Sequence, residues 1–376
     1  MTSRVTVGIP TLNSERFLEQ QLSAWSEQTN RDFKIVLVDG GSTDGTLSIA
    51  ERWCRKDARI QIASQQVVGL YRAFNAILDG CETEFVTIQP ADDLVSETLL
   101  QSSIDGLDAF ANAVAAVAPL RVIDERSMAL DGPFAAAASW IEPMSADSSL
   151  MEGKYLKTSS EAQLHPWPLD GCLGLSGTNP YVSQNQIVYR TGMLGNHRFD
   201  ATYGTTADIL FNLQTGLTHD VVHVKGCWAG WRLHQDQASQ RSDSRECKYD
   251  DLRTMLADAI DAYRDAVPDR GQRRAIQRVA DVMAGVMHLR HIAPSKTRVQ
   301  RVASVIKASI ANPQAAWLYL RDRNTADPRW RASELWLRDQ AFAITADRMA
   351  RGIERSPEGR DHLREAKRQP SAQGGT

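Results

Sequence analysis

Phe33-Lys34-Ile35-Val36-Leu37-Val38-Asp39 runs directly into Gly40-Gly41-Ser42-Thr43-Asp44-Gly45-Thr46, and this stretch decides the fold. A short, nearly continuous apolar run closed by turn residues reads as a strand buried on both faces, the habit of parallel sheets. Asp44–Lys56 then carries apolar residues at helical spacing. Working outward, Arg4–Pro10, Arg59–Ser64, Glu84–Gln89 and Ala113–Ile123 read as further strands, and Ser14–Gln28, Gly69–Gly80 and Ser96–Phe110 as the helices between them. Phe17, Leu18, Leu22 and Trp25 form one face of the first helix, with Ser14 as its N-cap. Strand–helix alternation predicts an α/β, doubly wound, largely parallel sheet. Ligands of such sheets sit beyond the carboxyl ends of the strands.

The remainder divides by pattern. Residues 124–183 lack periodicity and are rich in Ser, Pro, Gly and Ala; they are expected to shape an acceptor site. Gln184–Arg190 returns as a strand, Thr206–Gly216 as a helix and His219–Lys225 as a strand. From residue 245 the pattern is helical, in three stripes: Leu252, Met255, Leu256, Ala259, Ile260 and Tyr263; Ile276, Val279, Ala280, Met283, Val286 and Met287; then Val299, Val302, Ala303, Ile306 and Ile310. The expected organisation is a catalytic domain over 1–244 (a nucleotide-binding half, 1–123, and an acceptor half, 124–244), a helical region over 245–365 and a disordered tail over 366–376.

Composition narrows the partners. A net charge of −3 over 376 residues gives no global attraction to nucleic acid. Arg264–Arg338, however, holds fifteen Lys/Arg against six Asp/Glu, together with Trp317, Tyr319, Trp330 and Trp336. That combination predicts an association surface, for a second copy of the chain or peripherally for the inner face of a membrane. Cys54, Cys81, Cys172, Cys227 and Cys247 show no metal-ligand spacing and read as free thiols. Met1–Arg4 leads into a strand without a signal-peptide core, and no apolar run approaches the roughly 20 residues of a membrane span. The expected location is cytoplasmic.

Chemistry concentrates after the strands. Pro10-Thr11-Leu12-Asn13 closes the first, where the rival reading is a plain strand-to-helix turn. Asp39 opens a loop whose glycines permit close backbone approach to a ligand. A calcium loop beginning at Asp39 fails, because Gly41, Thr43 and Ala50 would fall on ligand positions; a purely structural turn stays open. The fourth strand ends in Gln89-Pro90-Ala91-Asp92-Asp93. Adjacent carboxylates repel unless a cation or donors compensate, and a hard divalent ion bridges carboxylate to phosphate oxygens. A helix cap before Ser96-Glu97 is the alternative. Asp208 follows the small, polar run Tyr203–Ala207 at the start of an amphipathic helix, either facing a cleft or complementing the helix dipole.

Together, VTVGIPTLN, IVLVDGGSTDGT, GLYRAFNAILDGCETEFVTIQPADD and SQNQIVYRTGMLGNHRFDATYGTTADILFNL, spread over residues 4 to about 240, resemble in order and spacing the family 2 glycosyltransferases of GT-A fold. The nearest subgroup in pattern is the exopolysaccharide transferases of the colanic-acid type. The resemblance implies metal-assisted (Mn or Mg), inverting transfer from a nucleotide-sugar donor to a hydroxyl of a polysaccharide or lipid-linked acceptor. Carried over, Pro10, Thr11 and Asp39 line the base and ribose. Asp92 faces ribose or metal, Asp93 binds the metal and Asp208 is the general base. A weak base suffices for such a displacement when the metal supports the leaving diphosphate. Asn13, Gly69, Arg72 and His234 complete the candidate substrate contacts. Three departures stand out: Pro90 where the family often has another acid, Arg72 where the subgroup commonly has Asp, and a loose match around Trp231-Arg232-Leu233-His234-Gln235. Two other classes compete. A sugar nucleotidyltransferase would carry a basic Gly-rich loop after the first strand, which GIPTLNSERF lacks. A degenerate sugar-binding or scaffold protein would bind without turnover.

Overall fold

The computed structural model describes residues 3–63, 66–130, 157–158, 161–175, 181–235, 237, 249–295, 310–324 and 332–355. Most of the expected acceptor stretch, Cys247, Trp330, the stripe from Val299 to Ile306 and the tail over 366–376 lie outside those residues.

Four strands alternate with helices as the sequence predicts: β1 (Val5–Thr11), α1 (Glu15–Ser26), β2 (Phe33–Asp39), α2 (Thr46–Lys56), β3 (Ile60–Ile62), α3 (Leu70–Asp79) and β4 (Phe85–Ile88). All four run parallel. β2 shows why an unbroken apolar run was needed. Ile35 and Leu37 enter one core with Leu18, Leu22, Trp25 and Phe33. Val36 and Val38 point the other way, toward Tyr71, Phe74 and Ile77 of α3. Gly8 lets α3 press onto β1, for a Cβ there would lie 2.2 Å from Ile77 Cγ2. Ser14 stands at the N-cap position of α1, but its hydroxyl makes no cap bond. It accepts instead from the Leu12 N–H at 3.3 Å, while the Ser14 N–H donates to Thr46 Oγ1 at 2.7 Å, knitting the first loop to the second.

Beyond β4 the chain departs from its predicted pattern. Leu94–Val95 forms a short β5, and α4 begins only at Leu99 (Leu99–Ala109). Asp92 and Asp93 therefore cap no helix. Ala113–Ile123 is two strands rather than one: β6 (Ala113–Val117) and β7 (Leu120–Ile123). Pro119, which lacks the N–H to continue a ladder, divides them. β8 (Lys157–Thr158), β9 (Ala162–His165), β10 (Ile187–Arg190), β11 (Asp220–Val224) and β12 (Ala229–Arg232) complete the strands. The main sheet is mixed, in the order β3-β2-β1-β4-β10-β6-β11-β9-β8, and a small sheet orders β5-β12-β7. The predicted strand from Gln184 starts as a 3₁₀ turn, Gln184–Gln186, closed by a capping box from Ser183.

The helical part is Tyr249–Ala266, Arg270–Ser295, Pro313–Asn324 and Ala332–Ala350. Met255, Leu256, Ala259, Ile260, Tyr263, Ile276, Val279, Ala280, Met283 and Met287 are buried as predicted. They share one core with Leu169 and Leu173 of helix Leu169–Gly174, and with Leu210, Leu213 and Leu217 of helix Ala207–Thr218. The packing thus runs unbroken across residue 244. Backbones touch inside this core, since a Cβ on Gly171 would lie 2.3 Å from the Leu217 nitrogen and one on Gly216 2.7 Å from the Gly171 nitrogen. Of the aromatics expected on an association surface, Trp317 is half exposed with the Arg321 guanidinium 5.0 Å above its ring. Tyr319 is buried beside Leu289 and Ala316, so it belongs to the core. Ile310, expected on the third apolar stripe, is exposed. No helix among the described residues is long and apolar enough to cross a membrane.

Candidate active site

The carboxyl ends of β1, β2 and β4 meet on one edge of the sheet, because Thr11 pairs with Asp39 in the β1–β2 register and Gly8 with Ile88 across β1–β4. Asp39 is buried. Its carboxylate accepts the Thr11 hydroxyl at 2.9 Å, the Ser42 hydroxyl at 2.6 Å and the Gly41 and Ser42 N–H groups at 2.8 and 2.9 Å. Burial opposes ionisation, but these bonds outweigh it and hold the carboxyl below its ordinary value. Asp39 thereby fixes the loop, and Gly41 (φ 98°) takes the left-handed turn. Asn13, also at positive φ (50°), accepts the Thr43 N–H at 2.9 Å. Pro10 and Thr11 lie at the buried end of β1. Gly69 (φ 105°) turns the chain into α3, where a side chain would be strained although space is free. Arg72 is exposed and forms no ion pair among the described residues.

The acidic pair is asymmetric. Asp93 is 2% exposed, accepting the Arg232 N–H at 2.9 Å and the Ser183 hydroxyl at 3.3 Å. Burial, reinforced by the Asp92 charge, pushes its carboxyl well above the usual range. Asp92 is half-buried, and its carboxylate lies 2.8 Å from His234 Nε2. The His234 ring packs 4.9 Å from Phe17, and its buried Nδ1 has no partner among the described residues. Two adjacent carboxylates, one strongly disfavoured as an anion, suit a hard divalent cation. Asp92, Asp93 and His234 do not bring three ligand atoms within 4.8 Å of one another. The set thus fits a cation held by Asp93 and Asp92 that takes its other ligands from water and phosphate oxygens.

Arg232 was missed as a site residue in the sequence and anchors this corner. It is fully buried; its side chain donates to the carbonyls of Asp92 (2.6 Å), Asp124 (3.0 Å) and Glu125 (3.1 Å), to Ser127 Oγ (3.1 Å) and to Gln20 Oε1 (3.1 Å). Its donors are engaged by protein oxygens, so Arg232 braces the acidic pair. Arg232→Ala leaves several buried carbonyls without a donor and is expected to lower stability by about 2–4 kcal/mol. Urea unfolding measures it, and a loss below about 1 kcal/mol would mean that water replaces the guanidinium.

Asp208 lies in the first turn of helix Ala207–Thr218, half-buried. Burial raises its carboxyl to about 6, against hydrogen bonds from Tyr71 and the Ile209 N–H. The helix it opens is tied toward the acidic pair: Asn212, one turn along, meets the Tyr189 hydroxyl at 3.0 Å, Tyr189 meets Gln184 at 2.9 Å, and adjacent Ser183 holds Asp93. Asp200 and Asp220 are committed elsewhere, to the Thr202 and Trp167 N–H groups.

A second constellation left no spacing signal, its members being scattered. His165, Asp170 and His223 are buried with ligand atoms within 4.8 Å, the one such triplet among the described residues. Asp170 lies 2.7 Å from His165 Nδ1 and 2.7 Å from His223 Nε2, and accepts the Tyr181 hydroxyl. Burial opposes its ionisation, yet the two imidazoles hold the carboxyl far below its usual value. These are hydrogen-bond separations, shorter than the roughly 3.3 Å between ligands of a tetrahedral zinc ion. The cluster ties β9 and β11 to helix Leu169–Gly174.

The chain is similar to known proteins in part of its sequence and in its fold. Residues 6–144 match the family model described as Glycosyl transferase family 2. The cholesterol galactosyltransferase of Borreliella burgdorferi is 36% identical over 98 residues, 26% of this chain and 27% of that protein. An uncharacterized glycosyltransferase of Haemophilus influenzae is 22% identical over 239 residues, 62% of this chain and 67% of that protein. The match spans little more than a quarter of the first curated relatives. Among solved structures, S. aureus TarS 1–349 in complex with UDP-GlcNAc superposes with a TM-score of 0.55 at 16% identity, covering 93% of this chain and 92% of that one. The mannosyltransferase PcManGT from Pyrobaculum calidifontis, in complex with GDP-Man and Mn2+, gives 0.51 at 18% identity, covering 93% and 87%. Residues 6–144 thus resemble glycosyltransferase family 2, and the fold of the chain is GT-A.

Proposed function

We propose that this chain is a family 2 glycosyltransferase that moves a sugar, with inversion, from a nucleoside-diphosphate donor to a hydroxyl of a polysaccharide or lipid-linked acceptor. The observation that carries the reading is Asp208: a half-buried carboxylate raised to about 6 at the start of a helix whose Asn212, one turn on, is hydrogen-bonded to Tyr189, which also meets Gln184 beside the Ser183 that holds Asp93. The acceptor oxygen bonds to the anomeric carbon as the bond from that carbon to the diphosphate oxygen breaks, and the acceptor proton passes to the Asp208 carboxylate. A single carboxylate of moderate basicity serves a displacement in which proton transfer is late. Asp93, with Asp92, would hold manganese or magnesium, which when bound supplies positive charge to the departing diphosphate. Pro10, Thr11, Asn13 and Asp39 shape the floor under base and ribose. Gly69, Arg72 and His234 flank the phosphates.

Structural neighbours of this fold with bound UDP-GlcNAc, or with GDP-Man and Mn2+, support a nucleotide-sugar donor and a divalent cation. The test is release of nucleoside diphosphate from a panel of nucleotide sugars with manganese, with magnesium and with chelator. Metal-dependent release from at least one donor is expected. Binding without any turnover would favour the scaffold alternative.

A further inference from the structure

We infer that Asn75 is a positioning residue for the base: its side-chain amide grips both backbone groups of Phe199 and so sets where the segment leading to Asp208 stands against the donor half. The inference rests on the reading of Asp208 as the base and goes beyond it. Tyr71, Asn75 and Asp79 follow at four-residue steps along α3 and therefore share one face of that helix. Each bonds the segment over 198–205. The Asp79 carboxylate accepts from Arg198 Nε at 2.6 Å. Asn75 Nδ2 donates to the Phe199 carbonyl and its Oδ1 accepts the Phe199 N–H, both at 2.8 Å. The Tyr71 hydroxyl donates to the Thr205 carbonyl at 3.1 Å.

The three contacts differ in what they fix. The Asp79 carboxylate is exposed, so its pair with Arg198 is screened by water. Tyr71 holds a single carbonyl. Asn75 is half-buried and satisfies the donor and the acceptor of one residue together, which fixes the direction of the backbone as well as its place. From Phe199 the constraint passes on by packing. Its ring meets Phe74 of α3 edge-on at 5.2 Å and stacks at 4.1 Å on Phe211, three residues beyond Asp208 in the same helix. The stretch between Phe199 and Asp208 has little packing of its own: Ala201, Thr202, Gly204 and Thr205 are exposed, and the 3₁₀ turn over Ala201–Thr206 is broken at Gly204 (φ 54°). α3 also starts at Gly69 and carries Arg72, the residues proposed to flank the phosphates. One helix thus refers both the donor and the base to the same frame, and a misplacement of about 1 Å there costs up to about 10²-fold in rate.

Asn75→Ala removes both bonds, whereas Asn75→Asp keeps the acceptor for the Phe199 N–H and loses the donor. Release of nucleoside diphosphate from the donor in manganese should be measured for each, alone and combined with Asp208→Asn, with thermal unfolding to confirm folding. Asn75→Ala is expected to lower kcat by roughly 10–10²-fold with donor KM within about threefold of wild type, and Asn75→Asp to fall between. In the Asp208→Asn background the same changes should cost less than about threefold more, since a residue acting through the base has nothing left to position. Equal losses in both backgrounds, or an unchanged kcat, would reduce Asn75 to packing and overturn the inference alone. Should Asn75→Ala not fold, the same cycle with Asn75→Asp decides. Near-normal turnover of Asp208→Asn would instead overturn the base reading, and the inference with it.

Discussion

Asp208→Asn is expected to lower turnover by roughly 10²–10⁴, the range for losing a general base, while nucleoside-diphosphate affinity stays near wild type. Asparagine keeps the size of the side chain and an oxygen to accept the Ile209 N–H, which Asp208 Oδ1 meets at 2.8 Å. The helix start is therefore preserved, and only the capacity to take a proton is lost. The sign of the pH effect follows from the raised carboxyl. With its midpoint at about 6, Asp208 is mostly ionised at neutral pH and becomes protonated as pH falls through that value. Wild-type turnover should decline on the acid side of about 6, and the variant's residual activity should lack that limb. Steady-state kinetics with calorimetric donor binding separates the two quantities. Loss of folding would return Asp208 to a helix-dipole role. Near-normal turnover would move the base elsewhere, with Asp200 and Asp220 next to test, although a backbone N–H engages each.

The second large effect is at Asp93. Asp93→Asn retains an acceptor for the Arg232 N–H but removes the charge. Turnover should fall on the order of 10²–10³, the scale for losing one electrostatic support of a transition state. The thermal stabilisation that manganese and nucleoside diphosphate give together should shrink to that of nucleotide alone. If calorimetry found wild-type and variant affinities equal in manganese, or wild-type affinity unchanged by chelator, the cation would not be held here.

The nucleotide half was legible because its information is local. The unbroken apolar run of β2, the turn glycines and the strand-end acids all lie within short stretches of sequence, and the structure repeats them in order. The eleven-residue strand predicted over Ala113–Ile123 failed at Pro119, a residue whose missing N–H gives a local warning. The helix-cap alternative for Asp92 and Asp93 could be rejected only once β5 came between them and α4. What the sequence concealed depends on distant partners. Arg232 was not singled out in the sequence, and its side chain gathers the carbonyls of Asp92, Asp124 and Glu125. Tyr71 lies in the Gly69–Gly80 stretch read only as a helix, and its hydroxyl donates to the carbonyl of distant Thr205. His165, Asp170 and His223 meet because β9 and β11 pair, a register that no spacing rule reports.

The central claim is a single displacement at the anomeric carbon with Asp208 as its one base, and the stereochemistry of donor cleavage tests it most directly. In manganese and without acceptor, slow hydrolysis of an α-configured nucleotide sugar can be followed by proton NMR before the free sugar mutarotates, so no knowledge of the acceptor is required. The account predicts that the first-formed sugar is the β-anomer and that Asp208→Asn abolishes its appearance. First appearance of the α-anomer would mean a retaining reaction and would contradict the account.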